Sequence, residues 1–206
     1  MILYISFNDL DLTKALATAQ QVEPFCHGFK IGPVLLMRYG IQAVTQFRVA
    51  FPNKKIICDT QIIDHEKELV ALINQVNGNA VTVLAESYPT AIRHACIMAQ
   101  QKNIEVILDL AGSSLFGQRI LEAKTLGVNA IIMRYFGETE TMDLFIDRWD
   151  MVYGNTQLPV FIATAITRES IGPILALNPA GFIIGGAITE SADPVAEATY
   201  FYRLMS

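Results

Sequence analysis

Charged residues are scarce in this chain of 206 residues, at 17% against a hydrophobic content of 52%. A chain with so little charge and so much apolar material buries a large core and does not stay disordered. The net charge is −5, and no run of lysines or arginines offers a local basic patch for nucleic acid. The composition therefore predicts one globular domain over residues 1–206, with no nucleic-acid partner.

Cysteine and histidine are also rare, with three of each. Cys26, Cys58 and Cys96 are widely spaced and odd in number, which suits neither a disulfide framework nor a thiolate metal site. We predict that all three are reduced and buried. The histidines fall on a strand start, a helix start and a helix, so no zinc site is predicted.

Long hydrophobic runs are missing as well. The apolar segment at residues 1–7 has no basic flank, and Asn8, Asp9 and Asp11 interrupt it far short of a membrane span. We therefore expect a cytoplasmic protein that does not bind a membrane.

What the sequence does contain is a regular series of short apolar runs, each followed by a longer segment of helical periodicity. Eight such pairs can be counted, with strands at residues 2–7, 28–31, 55–59, 80–84, 105–109, 130–133, 159–163 and 181–184. Strands that are apolar throughout are buried on both faces, as in a parallel sheet covered by helices. The count predicts a closed (β/α)8 barrel, the TIM-barrel fold. A doubly wound open sheet is the alternative, but residues 6–10 lack a glycine-rich dinucleotide loop.

Polar residues at the strand ends are the candidates for chemistry, because the βα loops of such a barrel converge on one mouth. The candidates are Ser6, Asn8, Lys30, Asp59, Gln61, Asp64, Glu86, Asp109, Arg134, Thr164, Gly185 and Gly186. Lys30 and Asp59 lie in apolar runs where an unpaired charge is costly, so we predict a mutual ion pair. The pair either stabilises the mouth or forms part of a polarised site.

The segment around Asp59 leaves a second question open. Asp59 and Gln61 point to the same side if the strand persists, since side chains repeat every second residue. Asp64 is either the N-cap of the following helix or a residue of the rim that reaches a neighbouring subunit.

The last two predicted strands both end in small residues, at Thr164-Ala165 and at Gly185-Gly186. Small residues let backbone N–H groups approach a ligand, and the loops after strands seven and eight of such barrels commonly bind phosphate. The alternative is that small residues are needed there only for tight packing.

Four segments, residues 30–33, 59–64, 81–84 and 185–189, together resemble the orotidine 5′-monophosphate decarboxylase superfamily. Within it the chain is more similar to the branch of 3-hexulose-6-phosphate synthase and 3-keto-L-gulonate-6-phosphate decarboxylase, nearly end to end. The resemblance implies a (β/α)8 barrel of the ribulose-phosphate-binding type. It also implies a carbon–carbon lyase, an aldolase or a decarboxylase, acting on a phosphorylated sugar in a homodimer with sites near the interface.

The superfamily's Asp-x-Lys-x-x-Asp motif is matched by Asp59 and Asp64, but Gln61 occupies the lysine position. A glutamine amide is neutral and cannot serve as a general acid. Lys30, as in the orotidylate enzymes, stands where the sugar-phosphate enzymes carry a magnesium-binding glutamate, and a cation cannot ligate Mg²⁺. The resemblance thus implies catalytic roles for Lys30, Asp59, Gln61 and Asp64, and it suggests magnesium without supplying a metal ligand.

The resemblance also implies a set of substrate-binding residues, namely Asn8, Asp109, Arg134, Thr164, Gly185 and Gly186. Asn8, Arg134 and Thr164 depart from the residues usual at their positions. Three alternatives to an active sugar-phosphate lyase therefore stay open. They are a catalytically degenerate relative that binds a sugar phosphate or nucleotide, an orotidine 5′-monophosphate decarboxylase, and an isomerase or epimerase, for which Asp59 and Asp109 offer only carboxylates.

Overall fold

The computed structural model describes residues 1–114, 116–136 and 139–206. Within them eight parallel strands form a closed barrel in chain order, with β8 pairing to β1. The strands are β1 Ile2–Phe7, β2 Gly28–Ile31, β3 Lys55–Ile62, β4 Ala80–Leu84, β5 Glu105–Asp109, β6 Ala130–Arg134, β7 Val160–Ala163 and β8 Gly181–Ile184. The predicted (β/α)8 barrel is confirmed, and the open sheet is wrong because a closed barrel leaves no edge strand.

Helices alternate with the strands. They are α1 Leu12–Val22, α2 Pro33–Tyr39, α3 Ile41–Ala50, α4 Glu66–Gln75, α5 Pro89–Gln100, α6 Phe116–Leu126, α7 Met142–Tyr153, α8 Ile171–Ala176, α9 Gly186–Thr189 and α10 Pro194–Met205. Asp193 caps α10 by accepting the N–H of Ala196, with proline at the first helical position. Among the described residues, no helix combines the length and the apolar character that crossing a membrane requires.

Two apolar layers make up the core, as expected of strands buried on both faces. The outer layer lies between strands and helices and includes packed rings such as Phe7, Phe29 and Phe47. The inner layer fills the barrel and consists of Tyr4, Ile57, Ala80, Ile107, Ala130, Ile132, Phe161, Ala163 and Ile183. The three cysteines are buried and free, as predicted, and burial raises the pKa of the Cys58 thiol to about 12.

Polar side chains replace the apolar inner layer two residues nearer the carboxyl ends of the strands. Side chains of a strand return to the same face every second residue, so Ser6 follows Tyr4, Asp59 follows Ile57 and Arg134 follows Ile132. This polar layer comprises Ser6, Lys30, Asp59, Thr82, Asp109 and Arg134. The regular barrel therefore places a set of charged and hydroxyl side chains directly above an apolar plug.

Strand β3 is the irregular one. Its register against β4 shifts between Cys58 and Ile62, and Gln61 has a φ of 45°, in the left-handed region. The backbone N–H of Gln61 donates to the hydroxyl of Thr82 at 2.9 Å. The bulge interrupts the period of two, so Gln61 does not follow Asp59 onto the inward face as simple alternation predicts.

Candidate active site

A cavity of about 360 Å³ opens at the carboxyl ends of the strands. Its polar lining comprises Ser6, Asn8, Lys30, Asp59, Arg134, Thr164 and Thr167, and Gly185 and Gly186 contribute backbone. Eight of the residues proposed from the sequence thus lie together: Ser6, Asn8, Lys30, Asp59, Arg134, Thr164, Gly185 and Gly186. The mouth of the barrel brings together residues from six different strands and their loops.

Lys30 and Asp59 form the predicted ion pair in the floor of the cavity. Their exposed fractions are 5% and 2%. Asp59 also accepts the hydroxyl proton of Thr82 on its Oδ1 at 2.8 Å. A buried charge is tolerated only when its polar atoms are paired, and here both carboxylate oxygens have donors.

Arg134 extends this pair into an array of four charges. Its Nε donates to Oδ1 of Asp109 at 3.0 Å, and a terminal nitrogen contacts the other oxygen of the same carboxylate. The guanidinium also lies 3.9 Å from Oδ2 of Asp59. Burial works against the charged form, but the hydrogen bond and charge of Asp109, with Asp59, raise the pKa of Arg134 above its ordinary value. Lys30, Asp59, Arg134 and Asp109 therefore form a charge array of alternating sign.

Asp109 is fully buried and does not line the cavity, although the sequence suggested a substrate-binding role. One of its oxygens accepts the N–H of Ala111 at 3.0 Å, and both contact Arg134. Asp109 is therefore placed to orient the Arg134 guanidinium, since contacts from both carboxylate oxygens fix the position and the plane of that group.

The opposite wall of the cavity is made of small residues. Thr164 and Ala165 have φ values of 70° and 39°, a region that favours glycine. Gly185 lies against β1, because a β-carbon added to it would stand 3.4 Å from the carbonyl oxygen of Ser6. This wall presents backbone more than side chain to the cavity.

Asn8 is held at the rim by a close approach to β2. A β-carbon added to Gly32 would lie 1.8 Å from the Oδ1 of Asn8, so only glycine leaves room for that side chain. The Asn8 amide therefore lies against the backbone of Gly32, in the lining that it shares with Lys30.

Gln61 and Asp64 are not gathered into this cavity. Gln61 is partly exposed behind the β3 bulge, and the Asp64 side chain is 81% exposed. The N-cap position of α4 is His65, with a φ of 55° and no capping side chain. The N-cap interpretation of Asp64 is therefore wrong, and the residue projects from the rim.

Thr82 was missed as a functional candidate. It is fully buried, and its hydroxyl donates to Asp59 and accepts from the N–H of Gln61. The sequence did contain a signal, because Thr82 is the single polar residue in the apolar strand of residues 80–84. A hydroxyl buried in such a strand needs a hydrogen-bond partner.

The residues of the mouth do not fit the magnesium ion that the resemblance suggests. Mg²⁺ binds through oxygen ligands, mainly carboxylates. Asp59 is the single carboxylate among the described residues of the lining, and both of its oxygens already have donors. No group of three or more Asp, Glu, His or Cys residues in the described ranges is placed to hold a metal.

Comparison with known proteins gives relatives over the whole chain. No family model matches it. The 3-hexulose-6-phosphate synthase of Bacillus subtilis is 22% identical, over 100% of this chain and 99% of that protein. A crystal structure of 3-hexulose-6-phosphate synthase aligns with a TM-score of 0.91 at 22% identity, covering 100% of both chains.

Two further solved structures share the fold. The KGPDC of Streptococcus mutans has a TM-score of 0.88 at 18% identity, covering 99% of this chain and 96% of that one. The orotidine 5′-monophosphate decarboxylase of Methanocaldococcus jannaschii has a TM-score of 0.82 at 19% identity, covering 100% and 98%. These structures confirm the fold that the predicted resemblance implies, and the relatives named 3-hexulose-6-phosphate synthase agree with the branch that the sequence suggested.

Proposed function

We propose that this protein is a carbon–carbon lyase, an aldolase or a decarboxylase, that acts on a phosphorylated sugar. The observation that carries the proposal is the division of one cavity into two walls. Lys30, Asp59 and Arg134 form a charged wall, and Thr164 with Gly185 and Gly186 forms a backbone wall. A sugar phosphate has the matching division into a reacting carbonyl end and a phosphate end.

The phosphate end is assigned to the backbone wall. Gly186 and the following residue begin the short α9 turn, so their N–H groups have no partner within it. The Thr164 hydroxyl lies on the same wall. Backbone N–H groups at small residues are common phosphate ligands after strands seven and eight of such barrels.

The reacting end is assigned to the charge array. Aldol cleavage and decarboxylation both break a carbon–carbon bond and leave its electron pair on an enediolate, with formaldehyde or carbon dioxide as the other product. The Lys30 ammonium can stabilise that enediolate and protonate its carbon. Its amine regains a proton from the hydroxyl that becomes formaldehyde in aldol cleavage, or from solvent in decarboxylation, while Arg134 stays charged throughout. Asp59 orients Lys30, and Asn8 is placed to hydrogen-bond a sugar hydroxyl.

A homodimer in the cytoplasm is part of the proposal. The side chains of Met37 and Ile63 are 89% and 55% exposed, and Met37 lines an apolar groove of about 270 Å³ that reaches Asp59 and Thr60. In a dimer through this face, Asp64 would approach the partner's cavity, the arrangement that the superfamily resemblance implies. Light scattering tests this, since Met37→Glu should yield monomers and Tyr153→Glu should not.

Turnover assays test the lyase proposal. The protein is incubated with hexulose 6-phosphate, 3-keto-L-gulonate 6-phosphate and orotidylate, and released formaldehyde and carbon dioxide are followed. We expect release from one of the sugar phosphates. Tight binding of a sugar phosphate with no release from any substrate would contradict it, and release from orotidylate alone would favour an orotidylate decarboxylase.

A degenerate relative that only binds a sugar phosphate is the second candidate, favoured by the neutral Gln61 at the lysine position of the motif. Gln61→Lys separates the two, because turnover that appears only in this variant would identify a wild-type binder with an otherwise intact site.

The phosphate assignment has its own test. Gly185→Glu should abolish binding of ribulose 5-phosphate, because a carboxylate would fill the backbone wall and repel the phosphate. Gly172→Glu is the matched control, since a β-carbon at Gly172 in α8 meets nothing within 4 Å. Unchanged binding in Gly185→Glu would show that phosphate binds elsewhere.

A further inference from the structure

The two carboxylates of the charge array have no free oxygen to offer a metal. Oδ2 of Asp59 contacts the Lys30 ammonium and lies 3.9 Å from the Arg134 guanidinium, and Oδ1 accepts the Thr82 hydroxyl. Asp109 lies behind Arg134, and its oxygens accept from Arg134 and from the N–H of Ala111. Every acid of the charge array is neutralised by a fixed donor of the protein.

The charges of the cavity wall also work against a metal. Lys30 and Arg134 both line the cavity, on either side of Asp59. A divalent cation near Asp59 would displace one cation and face repulsion from both in a poorly solvated site. The neutral oxygens of Ser6, Asn8, Thr164 and Thr167 carry no charge to offset that repulsion, and Mg²⁺ in proteins is bound mainly through carboxylates.

Two fixed cations nevertheless supply what a bound metal ion would, namely positive charge beside the anionic part of a ligand. Gln61 in β3 is neutral where the superfamily motif has a lysine. Arg134, from β6, brings a positive charge to the cavity instead. A guanidinium cannot release a proton, whereas an ammonium can. The two cations thus divide the work: Arg134 contributes permanent charge, and Lys30 contributes charge and a transferable proton.

We propose that Lys30 and Arg134 act together in place of a divalent cation, so that the site binds and converts its phosphorylated ligand without metal. The conversion step rests on the proposed lyase function. The metal-free binding step does not, since it follows from the saturated carboxylates alone.

Metal binding is measured directly, without turnover. The EDTA-treated protein is titrated with MnCl₂ and bound Mn²⁺ is followed by electron paramagnetic resonance, with and without ribulose 5-phosphate. Ribulose 5-phosphate affinity is then measured by calorimetry in EDTA and in MgCl₂ at matched ionic strength. We expect no stoichiometric Mn²⁺ and affinities that agree within about twofold. Stoichiometric Mn²⁺ that Mg²⁺ displaces, or sugar-phosphate binding that EDTA abolishes, would overturn the proposal.

Variants at Lys30 test whether its charge is what excludes the metal. Lys30→Glu places a second carboxylate beside Asp59, and we expect MgCl₂ to raise the melting temperature of this variant. For the wild type, we expect MgCl₂ to change the melting temperature no more than KCl does at matched ionic strength. Lys14→Glu, at an exposed position, controls for the change of net charge. Absence of a magnesium response in folded Lys30→Glu would contradict the assigned role of Lys30.

A second variant covers the case in which Lys30→Glu does not fold. Lys30→Met keeps most of the length of the side chain without its charge, and Arg134→Gln replaces the guanidinium with a shorter neutral amide. Each should weaken ribulose 5-phosphate binding in EDTA, by roughly tenfold or more. Binding at wild-type strength by both variants would show that the cation pair does not contact the ligand.

Failure of this proposal and failure of the lyase proposal look different. A protein that binds ribulose 5-phosphate without Mn²⁺ but releases no product contradicts the lyase alone. A protein that turns over and binds Mn²⁺ stoichiometrically contradicts the cation-pair proposal alone.

Discussion

The hydroxyl of Thr82 lies 2.8 Å from Oδ1 of Asp59, and both residues are almost fully buried. The same hydroxyl accepts the N–H of Gln61, so one oxygen fixes the site carboxylate and the bulge that follows it. The contact joins β4 to β3 directly beneath the cavity. Thr82 is therefore a positioning residue for the charge array.

Replacement of Thr82 by valine should lower the free energy of unfolding by about 1–3 kcal/mol, because a carboxylate oxygen and a backbone N–H lose their partner at constant side-chain shape. Thr82→Ser keeps the hydroxyl and should lose only the contribution of one methyl group, about 1 kcal/mol. Urea denaturation measures both. A valine variant as stable as the wild type would show that neither hydrogen bond contributes to stability.

Lys30→Met should reduce the free energy of unfolding by about 3–5 kcal/mol, since it removes one member of a buried ion pair and leaves the charge of Asp59. Lys14→Met is the matched control. Lys14 is 59% exposed and pairs with Asp9 at 3.4 Å, and such surface pairs contribute about 0–1 kcal/mol. Equal losses in the two variants would mean that burial does not distinguish the pairs.

Ala165→Gly should stabilise the protein by about 0.5–1 kcal/mol, because Ala165 has a φ of 39° and a left-handed backbone is strained for residues with a β-carbon. Ala163→Gly in β7 is the control. Its backbone is not left-handed, and glycine in a strand costs about 0.5–1 kcal/mol. Thermal unfolding compares the two. If both variants lose stability equally, the loop after β7 stores no strain.

Alkaline pH should destabilise the protein through its thiols. Burial raises the pKa of Cys58 from 9.0 to about 12. Below pH 9 the thiol is protonated in both states and contributes no pH dependence. Between about pH 9 and 12 the unfolded chain loses a proton that the folded chain keeps, so stability falls by up to about 1.4 kcal/mol per pH unit for this thiol.

Cys58→Ala isolates that contribution. Denaturation curves at a series of pH values should show a constant difference between wild type and variant below pH 9, and a difference that narrows above it. Parallel curves over the whole range would contradict the raised pKa. Cys26 and Cys96, with pKa values raised by burial to about 11 and about 12, stay in both proteins and cancel.

Asp109 should influence ligand binding without touching the ligand. Asp109→Asn removes the carboxylate that orients the Arg134 guanidinium, so the affinity for ribulose 5-phosphate should fall. The same substitution should have little further effect on affinity in an Arg134→Gln background. Glu197→Gln, which breaks the ion pair with Arg168, is the control. Additive losses in the double variant would show that Asp109 acts independently of Arg134.

The fold was predictable because its signal is repeated. Eight apolar runs separated by helical segments leave few other arrangements, and the strand bounds differ from the prediction mainly in β3, β6 and β7, by one to three residues. The Lys30–Asp59 pair was predictable for the same kind of reason, since two opposite charges in apolar strands need each other.

The local backbone of the site was not predictable from periodicity. The bulge at Gln61 depends on the Thr82 hydroxyl of the next strand, and a contact between strands leaves no periodic trace. The placing of Asp109 behind Arg134 depends on which of two strand-end side chains reaches further. His65 at the N-cap position of α4 breaks the usual preference for a capping side chain, so the local sequence left Asp64 open as the cap.

On β1, β3, β4, β5 and β6 the residue of the polar layer lies two positions after a residue of the apolar inner layer, and this spacing limits how the length of the chain can vary. One inserted or deleted residue in β3 before Asp59 would turn the carboxylate toward the helices and would bring Cys58 or Thr60 to the cavity in its place. The same change in a loop would leave every inward position in phase. Insertions and deletions are therefore expected mainly in the loops, because a one-residue shift in a single strand would turn a charged side chain of the array away from the cavity.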